Sequence, residues 1–143
     1  MFVVDTNVLL YAAERNFAEH VVCRERLEGW RAGPESWFLT WKILYEFVRV
    51  TTHPAIFARP WKVSHAAAFV QGLLQSPSLM LLRETDRHWE VGQLVFSELP
   101  GLSGNVIHDS HTAILMREHG IRRIYTRDAD FHRFPWVEVL DPR

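Results

Sequence analysis

Phe2–Val4 is a short apolar run with no polar alternation, halted by Asp5-Thr6-Asn7 and followed at once by a helical stretch. A strand buried on both faces reads as such an unbroken run, whereas a half-solvated strand alternates. The same unit recurs along the chain. Trp37–Leu39, Leu79–Leu82, Arg123–Thr126 and Val137–Leu140 are the further candidate strands. Between them the patterning predicts helices over Val8–Glu14, Phe17–Arg31, Trp41–Thr51, Val63–Gln75, Asp86–Leu99 and from Asn105 to His119. Asp5, Thr6, Asn7, Thr40 and Asn105 are suited to cap helix N-termini, while Gly33-Pro34, Ser76-Pro77 and Gly120 are suited to end helices. His53–Trp61, with Pro54 and Pro60, and Pro100–Gly104 read as loops. Arg127–Pro135 reads as a turn in which Asp130 caps Phe131–Arg133. Short apolar strands alternating with helices predict an α/β fold, a parallel sheet with helices on both faces. A chain of 143 residues is expected to form one domain over 1–143.

Composition narrows the function classes. No apolar run is long enough to cross a bilayer, and the N-terminus lacks the basic start and apolar stretch of a secretion signal, so a cytoplasmic protein without membrane contact is expected. A lone Cys23 excludes an internal disulfide and a multi-cysteine zinc site, and reads as a small apolar helix residue. The net charge of −1 does not advertise nucleic-acid binding. Of the 16 basic residues only Lys42 and Lys62 are lysine. Arginine offers a planar fork suited to phosphate, although genomic base composition gives the same bias. Val21, Val22, Leu27 and Trp30 are expected to be buried on the second helix, and most tryptophans, Trp41 and Trp89 among them, are expected in the core. Trp61, in a proline-flanked loop, is the one placed for an RNA or partner surface.

In parallel sheets, ligands and catalytic groups gather beyond the carboxyl ends of the strands. The residues there are acidic. Asp5 follows the first strand, Asp128 follows the strand ending at Thr126, and Asp109 falls in the first turns of the helix opened by Asn105. Glu46 interrupts the apolar stretch Leu44-Tyr45-Glu46-Phe47-Val48, where a buried carboxylate needs a partner or a metal. Each has a structural explanation: Asp5 as a helix cap, Asp109 as a macrodipole partner, Asp128 as a turn residue, Glu46 as a bonded core glutamate. Their convergence on one end of the sheet favours a shared site. Grouped carboxylates raise one another's pKa and, as hard oxygen ligands, select Mg²⁺ or Mn²⁺, which suits metal-assisted phosphodiester hydrolysis.

Val4-Asp5-Thr6-Asn7-Val8-Leu9, Glu46 in its apolar helix, His108-Asp109-Ser110-His111-Thr112-Ala113 and Tyr125-Thr126-Arg127-Asp128-Ala129-Asp130-Phe131 resemble, in order, the four acidic motifs of PIN-domain ribonucleases of the VapC toxin type. Thr51-Thr52-His53-Pro54 followed by Pro60 resembles a subgroup of these toxins. The resemblance spans the chain. It implies a three-layer α/β/α sandwich with a short, mainly parallel central sheet, and a Mg²⁺-dependent (or Mn²⁺-dependent) endoribonuclease. Asp5, Glu46, Asp109 and Asp128 would form its acidic, metal-binding pocket. Thr6, Asn7, Thr126 and Arg127 would be supporting or substrate-contacting groups, and Asp130 a secondary candidate. It further implies an RNA substrate, a small antitoxin partner, a homodimer, and DNA contact only through the antitoxin.

His108 and His111 flank Asp109 at helical spacing; the expectation is that one contacts RNA phosphate or bonds a carboxylate. Arg49, one turn from Glu46, and Arg127 are placed for phosphate or for salt bridges. Rival classes fare less well. A phosphate-accepting receiver module needs a lysine after a late strand, which neither Lys42 nor Lys62 supplies. A dehalogenase-like phosphatase needs an aspartate where Asn7 stands. A non-catalytic subunit acting only through an antitoxin remains the other reading.

Overall fold

The computed structural model describes Met1–Arg143. Five strands, β1 (Phe2–Val4), β2 (Trp37–Leu39), β3 (Leu79–Leu81), β4 (Arg123–Tyr125) and β5 (Glu138–Leu140), form one sheet in the order β3-β2-β1-β4-β5. All four pairings are parallel. Six helices connect them: α1 (Thr6–Ala13), α2 (His20–Ala32), α3 (Trp41–Thr51), α4 (Val63–Leu74), α5 (His88–Glu98) and α6 (Val106–Glu118). A short 3₁₀ helix occupies Ala129–Arg133. α1 packs on α2 and α3, and α3 on α4; α5 packs on α6. The chain steps outward from β1 to β3 and then returns to the far side of β1, and right-handed crossovers, the rule for parallel strands, put two such groups on opposite faces. The order of the strands therefore reverses between β1 and β4, the place where an open parallel sheet leaves a crevice at its carboxyl edge.

The central strands behave as their patterning predicts. β1 and β2 are wholly buried, whereas the edge strands β3 and β5 keep partial exposure. Phe2, Trp37, Phe47, Phe131 and Phe134 are the largest fully buried side chains. α6 is the most enclosed helix, with Ala113, Leu115 and Met116 in the core. Gly120 closes it at φ 67°, a left-handed conformation that a side chain would strain.

Several local expectations are corrected. Asp5 alone caps α1, accepting from Thr6 N at 2.7 Å, so the helix starts at Thr6 and not Val8. α2 starts at His20 instead of Phe17, whose ring leaves the helix line to pack on Tyr11 and Phe57. Cys23 and Leu27 form the buried stripe of α2, and Val21 lies outside it, exposed. Trp41 and Trp89 are not core residues: 45% and 65% exposed, they lie on outward helix faces, α5 burying Gly92 and Val95 instead. Trp61 is not on a free surface, being stacked on His65 and packed edge-on against Phe47. Asn105 makes no side-chain cap bond and is itself helical in conformation. In the 3₁₀ segment the cap is Asp128, which accepts from Asp130 N at 2.9 Å, and not Asp130.

Candidate active site

Asp5 stands at the reversal point because β1 ends there, its own backbone N–H still donating to Tyr125 O of β4 at 3.0 Å. Its carboxylate is partly buried and extensively bonded. Oδ1 accepts from Thr6 N; Oδ2 accepts from Asn7 Nδ2 at 2.8 Å and from Thr126 Oγ1 at 2.6 Å. Thr126, itself buried, also accepts from Asn7 Nδ2 at 2.9 Å and from Asp128 N at 3.0 Å. The hydroxyl thus ties the loop after β4 to the loop after β1. Thr6 Oγ1 reaches across to Glu46 Oε2 at 3.2 Å, linking α1 to α3.

These contacts frame a cleft of about 890 Å³ lined by Lys42, Tyr45, Glu46, Arg49, Asn105, His108, Asp109, Asp128 and Asp130. Carboxylate oxygens of Asp109, Asp128 and Asp130 lie within 4.8 Å of one another. Burial pushes the Asp109 carboxyl up to about 6, reinforced by the charges of Asp128, Asp5 and Asp130 against the opposing pull of Lys42. Asp5 is likewise pushed up to about 6 by burial, with Asp128 and Glu46 adding to the rise, although the bonds from Thr126 and Thr6 work the other way. Oxygen donors alone, crowded until two of them resist ionisation, are a set that a hard divalent cation would complete.

The four acids read from the sequence are therefore drawn together, in unequal ways. Asp109 and Asp128 form a triad with Asp130, the secondary candidate. Glu46 is not a buried core glutamate: its side chain is 42% exposed at the cleft wall, with Arg49 3.7 Å away. Leu44 and Phe47, close to Glu46 in sequence, are buried on the inward face of α3, whereas Tyr45 lines the cleft with it. Arg127 does not bring its guanidinium to the cleft; it pairs with Glu19 and lies 3.9 Å from Asp141, while its backbone N donates to Asn7 Oδ1 at 3.3 Å. His108 lines the cleft, whereas His111 faces Glu84 on another side of α6. Lys42 was not legible as a site residue. Its ammonium donates to His108 O beside Asp109, and the available signal was its four-residue spacing from Glu46, which sets both on one helix face.

A PIN domain family model matches residues 2–137. Ribonuclease VapC48 of Mycobacterium tuberculosis is 30% identical over 138 residues, covering 96% of this chain and 94% of that protein. Ribonuclease VapC37 of the same species is 34% identical over 142 residues, covering 99% and 97%. Among solved structures, VapBC2 from Rickettsia felis, bound to a promoter DNA fragment, superposes with a TM-score of 0.69 at 15% identity, over 97% of this chain and 96% of that one. The M. tuberculosis toxin VapC20, described as cleaving the sarcin–ricin loop, gives 0.64 at 17% identity, over 92% and 93%. At such identities the structural likeness speaks for the fold.

Proposed function

The chain belongs to the PIN domain family, among its VapC ribonucleases, and from that premise we propose that it is a cytoplasmic endoribonuclease, one domain over its whole length, acting as the toxin of a toxin–antitoxin pair. The observation that carries the reading is the crowding of Asp5, Asp109, Asp128 and Asp130 at the sheet's reversal point, two of them pushed up to about 6. Asp109, Asp128 and Asp130 would hold the metal directly, with Asp5 and Glu46 completing the acidic wall. Mg²⁺ is the expected ion and Mn²⁺ the alternative. Bound there, it would lower the pKa of a water and offset the charge that develops on the phosphate.

The protein's own groups prepare that chemistry. Thr126 and Asn7 fix the Asp5 carboxylate in one orientation, so no reorganisation is needed as charge develops. Thr6 holds Glu46 toward the cleft. Lys42 and Arg49 on α3 and His108 on α6 line the same cleft and are the cationic or protonatable groups available to an RNA phosphate. Asn105 closes the rim. Tyr45, 74% exposed beside Glu46, offers a ring on which an unpaired base can stack. The antitoxin and a second copy of the chain are the protein partners, and DNA is reached only through the antitoxin.

With water as the nucleophile, cleavage leaves a 5′-phosphate and a 3′-hydroxyl, and it needs Mg²⁺ or Mn²⁺. End-labelled RNA, digested with and without chelator, checks both points. Cleavage that continues in excess chelator, or a 2′,3′-cyclic phosphate product, would exclude the mechanism.

A further inference from the structure

A second group of metal-ligating side chains lies where α5 meets α6, away from the acidic cleft. Glu84, in the loop after β3, places Oε1 2.8 Å from His111 Nε2 on α6. His88, the first residue of α5, lies beside them, its ring edge-on to that of His111 with centroids 5.5 Å apart. One ligand atom from each of the three falls within 4.8 Å of the other two. None of the three lines the cleft that holds Asp109. Their separation from it follows from helix geometry, since His111 is two residues beyond Asp109 and so projects from nearly the opposite side of α6.

We propose that Glu84, His88 and His111 form a Zn²⁺ site that fastens the loop after β3 to α6. Two imidazole nitrogens and one carboxylate oxygen are a donor set for zinc, whereas magnesium selects oxygens alone. The surroundings are those of a built site. Glu118, two turns along α6 from His111, has a side chain only 1% exposed and bonds His88 Nδ1 at 2.6 Å. A carboxylate on one ring nitrogen fixes the orientation of a histidine and leaves the other nitrogen to the metal. Glu118 is itself held by Thr85, which donates from both N and Oγ1, at 3.0 and 2.6 Å. On His111, Nδ1 is buried without a hydrogen-bond partner, so Glu84 is the ring's one polar contact. Glu84 is more than half exposed, which gives the ion a route in from solvent. The contrasting account is a pair of metal-free histidine–carboxylate contacts.

Titration of the chelator-stripped, full-length protein with ZnCl₂ in excess Mg²⁺ separates the two. The expected result is a single Zn²⁺ bound per chain, accompanied by shifts of the ¹⁵N imidazole resonances of His88 and His111. Binding persists in an Asp109→Asn, Asp128→Asn variant and is lost in a His88→Gln, His111→Gln variant. Glu118→Gln, which keeps the shape but weakens the hold on His88, lowers zinc affinity about 10- to 100-fold. Wild-type protein that takes up no zinc, or whose His88 and His111 resonances stay in place, overturns the proposal whatever the histidine variants do. Zinc uptake that survives in the histidine variant, or that disappears in the aspartate variant, overturns it too, because the ion then sits elsewhere.

Discussion

Asp5 accepts three hydrogen bonds and is still pushed up to about 6, so burial and neighbouring carboxylates outweigh bonding that ordinarily favours the charged form. Asp109 reaches the same value without any side-chain partner of that kind. The sign of the consequence is fixed. An acid whose folded pKa is raised binds more protons in the native state, so its contribution to stability is present at low pH and is lost as pH rises. For the metal-free protein the window runs from about pH 4, where an unfolded aspartate titrates, to about 6. Thermal melts across that window should show stability falling as pH rises, and Asp5→Asn or Asp109→Asn should flatten the fall. Both variants should stay folded and lose RNA cleavage. Mg²⁺ should raise the melting temperature of wild type, since it binds the native state alone, and the variants should lose most of that increment. If Asp5 served only as a helix cap, asparagine would cap about as well and activity would survive. A fully active Asp5→Asn protein ends the case for this residue.

α3 shows what a periodic pattern can and cannot carry. Its start was legible in Thr40, whose Oγ1 accepts from Ile43 N at 3.1 Å in a buried setting. Its inward face is formed by Ile43, Leu44, Phe47 and Val50, which recur at helical spacing and are buried. Glu46 lines the cleft as expected of the acidic set but is not buried, and the reason is physical. Sequence neighbours of a helical residue point in other directions, so an apolar stretch around a carboxylate says little about where the carboxylate points. The tryptophans differ in the same way: Trp41 and Trp89 sit on apolar helices yet lie outside the core, because α3 and α5 each bury only one side. The cap itself gives a clean measurement. Thr40→Ala should lower stability by about 1 kcal/mol by removing the acceptor for Ile43 N. Urea unfolding should show an earlier midpoint with an unchanged slope, while Mg²⁺ binding is retained; an unshifted midpoint would mean that the bond adds nothing.

Strand–helix alternation gave the fold class, and the acids after β1 and β4 together with Glu46 and Asp109 on helices gave the carboxylate set, but not the order of the strands. Nothing in the chain from 79 to 125 states that β4 returns to lie beside β1, and only that return brings Thr126 and Asp128 to Asp5. Asp130 and Lys42 join the cleft by the same long-range packing, which is why local pattern undervalued the one and missed the other. At this scale the segments Val8–Ala13 and Trp41–Val50 together carry more large apolar residues than one small sheet face can bury. α1 is largely absorbed into the core, and the surplus lies between α3 and α4, in a groove of about 240 Å³ lined by Trp41, Leu44, Tyr45, Val48, Ala67, Val70, Gln71 and Leu74. A groove of apolar side chains with an exposed tryptophan and tyrosine on its rim is suited to the apolar face of a helix from a partner chain. Ala67 is exposed on α4 and contributes to the groove without entering the core, so a charge there tests the surface and spares the fold. Ala67→Arg should leave the melting temperature and RNA cleavage near wild type and weaken association with the antitoxin by tenfold or more, about 1.4 kcal/mol. Light scattering and titration calorimetry on the variant and wild type read that change. Unaltered antitoxin affinity would place the docking helix on another face of the molecule.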